Sequence, residues 1–165
     1  MLLTHSGSHA TSCDAVAALV GDGLIRIRSI RAAEKHSKQH LPASMYLFAY
    51  RSSMTRRPGQ TIGACDWIEL PFVFGVYDDA AAFAGPRHLW GELSEQTMDA
   101  WTTFARTGDS NTPLPPAWPE YEAERRSTMV LGVPSEVVDD TLADQRGAWD
   151  EAPDESFPYC PPFIH

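Results

Sequence analysis

Gly63-Ala64-Cys65-Asp66-Trp67-Ile68-Glu69-Leu70-Pro71-Phe72-Val73-Phe74-Gly75 is the stretch from which the rest of the chain can be read. It sets two carboxylates, Asp66 and Glu69, three residues apart beside a thiol and an indole, then enters an unbroken apolar run. Proline has no N–H for a helix interior and is tolerated only in a first turn. The position of Pro71 therefore predicts a short helix or turn over 69–74.

Upstream of this stretch, residues 44–51 (Ser-Met-Tyr-Leu-Phe-Ala-Tyr-Arg) are apolar without alternation. That is the pattern of a central strand covered on both faces. Residues 52–63 read as a loop, with Arg56-Arg57-Pro58-Gly59 as its turn. Residues 25–38 read as a helix whose narrow stripe of Leu24, Ile27, Ile30 and Ala33 opposes Arg26, Arg28, Arg31, Lys35 and Lys38. That basic cluster is expected to be a solvated face. Asp14 to Val20 is expected to form a short helix stopped by Gly21. His5, His9 and Cys13 are spaced four apart, which a helix would bring to one side. Ser6-Gly7-Ser8 disfavours that helix, so a frayed end is expected there instead of a metal site.

Downstream, residues 78–90 look irregular, with Gly85-Pro86 as a breaker. Residues 94–107 are the clearest helix, with Ser94 as the expected N-cap, Thr97, Trp101, Phe104 and Ala105 as its core stripe, and Gly108 as its stop. A Pro-rich connection over 109–119 leads to a strand at Thr128 to Leu131. A last helix is expected from Asp140 to Trp149 with a break at Gly147. The tail over 157–165 cannot be regular helix.

The 165 residues carry a net charge of −9. Nucleic-acid binding needs a basic face, and this balance argues against it. Three cysteines, Cys13, Cys65 and Cys160, cannot all pair within one chain and form no CxxC. A reducing compartment is the simplest inference, and a soluble, cytoplasmic protein is expected. No segment approaches the ~20 apolar residues of a membrane span. No cofactor is expected.

The opening stretch resembles the catalytic-histidine motif of type B carboxylesterases, Gly-x-x-His-x-x-Glu-[Leu/Ile]-Pro-[Phe/Tyr]-Val-Phe-Gly, within the α/β-hydrolases. Other segments follow in the family's order. Tyr46 to Ser52 resembles the strand before the histidine loop. Trp101 with Phe104 to Asn111 is similar to W-x-x-F-A-[KR]-T-G-[DN]-P-N. Trp118-Pro119-Glu120-Tyr121 resembles W-P-x-Y, and residues 128–131 with Arg146-x-x-Trp149 resemble the last strand and helix. The resemblance implies the carboxyl-terminal third of an esterase domain at 20–150; by composition a flexible segment is expected at 1–19 and an irregular tail at 151–165. The implied fold class is α/β: a partial α/β-hydrolase, mostly helix and loop with two or three short strands. A carboxylic ester is the implied substrate.

The family uses a serine in Gly-x-Ser-x-Gly, a histidine base and an orienting acid. The chain contains no Gly-x-Ser-x-Gly, and Asp66 occupies the histidine position. An ordinary aspartate titrates near 3.9, about 2.6 units below imidazole, so it is a far weaker base. It also has no proton to offer an orienting carboxylate. Asp66 is therefore expected to cap the 69–74 turn and not to catalyse. His36, His40 and His88 stand outside the matched loop and are expected at the surface. Cys65 is expected to be a small buried side chain, Glu69 to bond loop backbone, and Trp67 and Trp101 to fill core. The expected protein is a truncated, inactive esterase fragment that forms homo-oligomers or joins an upstream esterase fragment. The alternative is a non-catalytic protein- or ligand-binding module.

Overall fold

A computed structural model describes residues 12–57, 60–64, 67–76, 84–85, 88, 90–113 and 116–152. Helix α1 (Ser12–Gly21) does not stop at Gly21. It continues through a widened π-type segment, Asp22–Arg26, into α2 (Ile27–Ser37). Gly21 keeps right-handed helical angles, φ −61° and ψ −42°. The reason lies one turn on: Arg26 Nε and Nη2 grip the Asp22 carboxylate at 2.7 and 2.9 Å, bridging the segment that glycine would otherwise end.

This pair corrects the reading of the basic cluster as a solvated face. Arg26 is buried. Arg31 donates through Nη2 to the carbonyls of Trp149 and Ala152, at 2.9 and 2.8 Å, and so fastens α2 to the far end of the described chain. Lys35 and Lys38 are exposed as expected.

Strands β1 (Tyr46–Phe48), β4 (Ser127–Leu131) and β5 (Glu136–Asp139) form one sheet in the order β1-β4-β5. The first two are parallel, with Tyr46 opposite Met129 and Phe48 opposite Leu131. The last two are antiparallel, with Ser127 opposite Asp139. β1 occupies an edge of this sheet, not the centre expected from its apolar sequence. Its remaining edge carries no strand among the described residues.

The segment over 52–63, expected as a loop, is a second sheet. β2 (Ser52–Arg57) and β3 (Gln60–Gly63) pair antiparallel with shifts of register along the way. Its polar sequence hid it: residues such as Ser52, Arg57 and Gln60 give no apolar face to read, although Thr55, Thr61 and Ile62 favour strand.

Helix α3 (Leu70–Phe74) starts where Pro71 predicts, with that proline in its first turn, and ends on Gly75 at φ 63°. Helix α4 (Gly91–Thr107) begins three residues before Ser94 and ends on Gly108 at φ 76°. Ser94 is thus not an N-cap. It is wholly buried, and its Oγ donates to the Phe72 carbonyl at 2.9 Å. The buried face of α4 is Leu93, Ser94, Thr97 and Ala100, while Phe104 is 52% exposed and Ala105 is exposed. Two small hydroxyl residues serve as core because their polar atoms are answered: Thr97 Oγ1 donates to the Leu93 carbonyl at 2.7 Å. Helix α5 is short, Ala143–Gly147, and closes the described fold.

The core lies between the β1-β4-β5 sheet and α3 with α4. Phe72, Trp90, Ile68, Leu93, Met129 and Leu131 are each at most 2% exposed. No described helix is long and apolar enough to cross a membrane. Residues 1–11, most of 77–89 and the tail from 153 lie outside the described residues.

Two measurements check this packing. Ser94→Ala should lose about 1–3 kcal/mol in urea unfolding, since it strips a buried carbonyl of its donor. A second concerns Asp140, held below the usual carboxylate range chiefly by its hydrogen bond to Arg146, at 2.8 and 3.1 Å. A depressed carboxyl contributes stability that is present above its unfolded value and lost as pH falls through the folded one. Arg146→Gln should therefore lower stability at pH 7 by about 1 kcal/mol, and the gap should close below about pH 4.

Candidate functional site

The candidate site is built at the carboxyl end of β1. In open α/β sheets ligands bind at the carboxyl ends of parallel strands. From Phe48 the chain runs through Tyr50, whose ring is buried and whose hydroxyl donates to the Ala84 carbonyl. It then leaves along β2 and returns along β3. Because Ser52 stands opposite Gly63, the outgoing and returning ends of the hairpin meet at its root. The chain resumes beside the place it left.

Two anchors follow the root. Ala64 and Ile68 are each 1% exposed, and Gly63 turns into them at φ 70°. Cys65 and Asp66, the two residues on which the sequence reading turned, lie outside the described residues, as does the capping role expected for Asp66. Trp67 is described and corrects an expectation. It is 75% exposed, not core, and its backbone is left-handed at φ 75°. The Trp67 carbonyl accepts from Leu70 N–H at 3.2 Å, and the Glu69 carbonyl accepts from Phe72 and Val73 N–H, each at 2.9 Å. These bonds from Phe72 and Val73 are main-chain bonds of the first turn of α3, with Glu69 at its N-terminal boundary, and not the bonds to loop backbone expected from the sequence.

The Glu69 carboxylate acts electrostatically on β1. Burial first, and then this charge, raise the Tyr46 phenol above its ordinary value. Burial raises Tyr50 likewise. Glu69 also lines an open groove of about 430 Å³, together with Tyr46, Leu47 and Phe48 of β1 and Ile25, Ser29 and Ala33 of the opposing helix. All three residues of β1 line this groove, and β1 has no strand on its outer side among the described residues.

A second groove, about 500 Å³, opens on the other side of Tyr46, between Trp101, Phe104 and Trp118. Sequence reasoning missed it. Its aromatics come from three separate segments, so no spacing within one segment could announce it. The rings meet edge-on, Tyr46 to Trp101 at 5.0 Å and Tyr46 to Trp118 at 6.2 Å. Its polar groups are turned to one another. Asn111 bonds Asp109 and both the N–H and carbonyl of Trp118, and Ser110 donates to Ser44. Ligand sites need a few polar groups aimed at the ligand; the groups here hold the wall together.

His36, His40 and His88 are exposed. Among the described residues no three His, Cys, Asp or Glu side chains come together as metal ligands. His5 and His9 lie outside the described residues.

The left-handed backbone at Trp67 yields a direct check. Trp67→Gly removes an exposed side chain and relieves the steric cost of a positive φ. Its unfolding free energy should match or exceed that of the parent by up to about 1 kcal/mol; a fall of that size would show that the indole carries packing.

The family model for the carboxylesterase family matches residues 2–149. Liver carboxylesterase 1 of Mus musculus is 28% identical over 131 residues, which are 78% of this chain and 22% of that protein. Phenmedipham hydrolase of Pseudarthrobacter oxydans is 27% identical over 135 residues, 78% of this chain and 26% of its own. In structure, the Geobacillus stearothermophilus carboxylesterase EST55 superposes with a TM-score of 0.73 at 30% identity, over 87% of this chain and 29% of that one. The chain spans 22% to 29% of the length of these relatives.

Proposed function

The chain belongs to the carboxylesterase family, and on that premise we propose that these 165 residues do not hydrolyse esters by themselves and serve as the carboxyl-terminal part of an esterase-type α/β-hydrolase body. The observation that carries this reading is the residue in the histidine position, Asp66, in a sequence that holds no Gly-x-Ser-x-Gly. Acyl transfer by this family needs an alcohol nucleophile and a base that takes its proton near neutrality. The resemblance places neither in this chain. A carboxylate with an ordinary titration point near 3.9 is almost wholly ionised at pH 7 but accepts a serine proton poorly.

The form of the fold supports the structural half of the proposal. Parallel strands are normally flanked and covered. Here β1 is parallel to β4 yet has no strand on its outer edge among the described residues, and the helical run beside it leaves Val16, Leu19, Val20, Leu24 and Ile25 between 39% and 59% exposed. An added parallel strand with its covering helices would meet both, and the groove of about 430 Å³ between them is where it would lie. The partner is accordingly the remainder of an esterase-type body; a carboxylic ester is the ligand that family membership gives such a pocket, and with Asp66 in the base position the assembled site would still lack its imidazole.

The test is turnover of p-nitrophenyl acetate and butyrate by the purified chain against a buffer blank. No turnover is expected, with no change in Asp66→Ala and none in Asp66→His, because the histidine alone would have no alcohol to activate. Hydrolysis above the blank that disappears in Asp66→Ala would show that this aspartate catalyses.

A further inference from the structure

Arg26 and Tyr121 reach one small cavity from different parts of the chain. Arg26 belongs to the π-type segment and is 7% exposed; Tyr121 precedes β4 and is 2% exposed. Nε and Nη2 of Arg26 are spent on Asp22. Its third nitrogen, Nη1, is buried and has no hydrogen-bond partner among the described residues, and the same holds for Tyr121 Oη. Both side chains line a cavity of about 30 Å³ whose wall also includes Leu47, Thr128 and Asp140.

Two unanswered buried polar groups on residues that line one small pocket are costly if nothing joins them. A water molecule needs roughly 10–15 Å³ of such volume and two to four polar partners. This cavity is large enough for one and offers a cationic donor, a phenol, and further oxygen acceptors on Thr128 and Asp140. Charge balance separates water from an anion. Arg26 is neutralised by Asp22, Arg126 by Glu34 at 2.9 Å, and Arg146 by Asp140 at 2.8 Å. No net positive charge is left to hold a halide. Tyr121 is pushed up to about 12, chiefly by burial and then by the Glu34 carboxylate, so its hydroxyl keeps its proton throughout the ordinary range.

We propose that this cavity binds a single structural water, which accepts from Arg26 Nη1, hydrogen-bonds Tyr121 Oη, and so ties the π-type segment to the segment entering β4. The bond from Tyr121 N–H to the Ala43 carbonyl, at 2.8 Å, holds the phenol's own backbone in register for this role. The site is independent of the proposed function and would survive its failure.

The sign of one substitution decides the matter. If the phenol bridges through water, Tyr121→Phe removes a bond and should melt about 2–4 °C lower than the parent. If the hydroxyl is an orphan, phenylalanine relieves it, and the variant should melt at the same temperature or higher. A crystal structure of the 165-residue chain grown in bromide supplies the second readout. A peak within hydrogen-bonding distance of both atoms, without anomalous signal, supports the proposal. A bromide signal there, or no peak, overturns it. Should Tyr121→Phe fail to fold, the parent's density decides alone.

Discussion

Phe72 is the side chain on which the arrangement depends. Its ring is wholly buried and meets Phe48 at 5.0 Å, Tyr50 at 5.0 Å and Trp90 at 5.1 Å. Its carbonyl accepts a hydrogen bond from the Ser94 hydroxyl. One residue therefore joins the end of β1, the start of the hairpin, the entry to α4 and the body of α4. Aromatic contacts of this tilted and edge-on kind add to the area each ring buries. The position of Phe72 is fixed in turn by Pro71, which starts α3, and by Gly75, which stops it in a left-handed turn. A five-residue helix could not hold itself in water; it persists because the ring at its centre has these neighbours.

Much of this was legible in advance, and the parts that were not share a cause. Pro71, Gly108 and the unbroken apolar run at 45–50 placed α3, the end of α4 and β1, because each is a local signal with a steric or solvation basis. Ser94 has the chemistry of a cap, and only its bond to a carbonyl 22 residues away makes it core. Periodicity puts Phe104 in the core stripe, yet the buried face of α4 is the smaller one formed by Leu93, Ser94, Thr97 and Ala100. Arg26 has the sequence surroundings of a solvated basic face, and nothing in them says that Asp22 will hold it inside. In each case the deciding partner lies outside the window that a sequence pattern can scan, or on another face of the same helix.

The candidate site was legible in a different sense. Its residues stand out by their likeness to a motif, and the fold brings Ala64 and Ile68, on either side of the motif's Asp66, to the carboxyl end of β1. Periodicity alone would have shown an apolar turn after a polar loop, with no reason to single out Asp66. Trp67 illustrates the limit of composition as a guide. A tryptophan is usually core, but a left-handed backbone points this one outward, and such a backbone at a non-glycine residue tends to mark a segment built for something other than stability.

The meeting of Ser52 with Gly63 has a consequence for how such a chain can vary. Because the two ends of the hairpin are paired at its base, the span between them is an appendage whose size is uncoupled from the path of the main fold. Residues could be gained or lost around the join of Arg57 and Gln60 without changing where Ala64 enters the interior. The entry point is set by the pairing at the base, and length at the tip is free to drift.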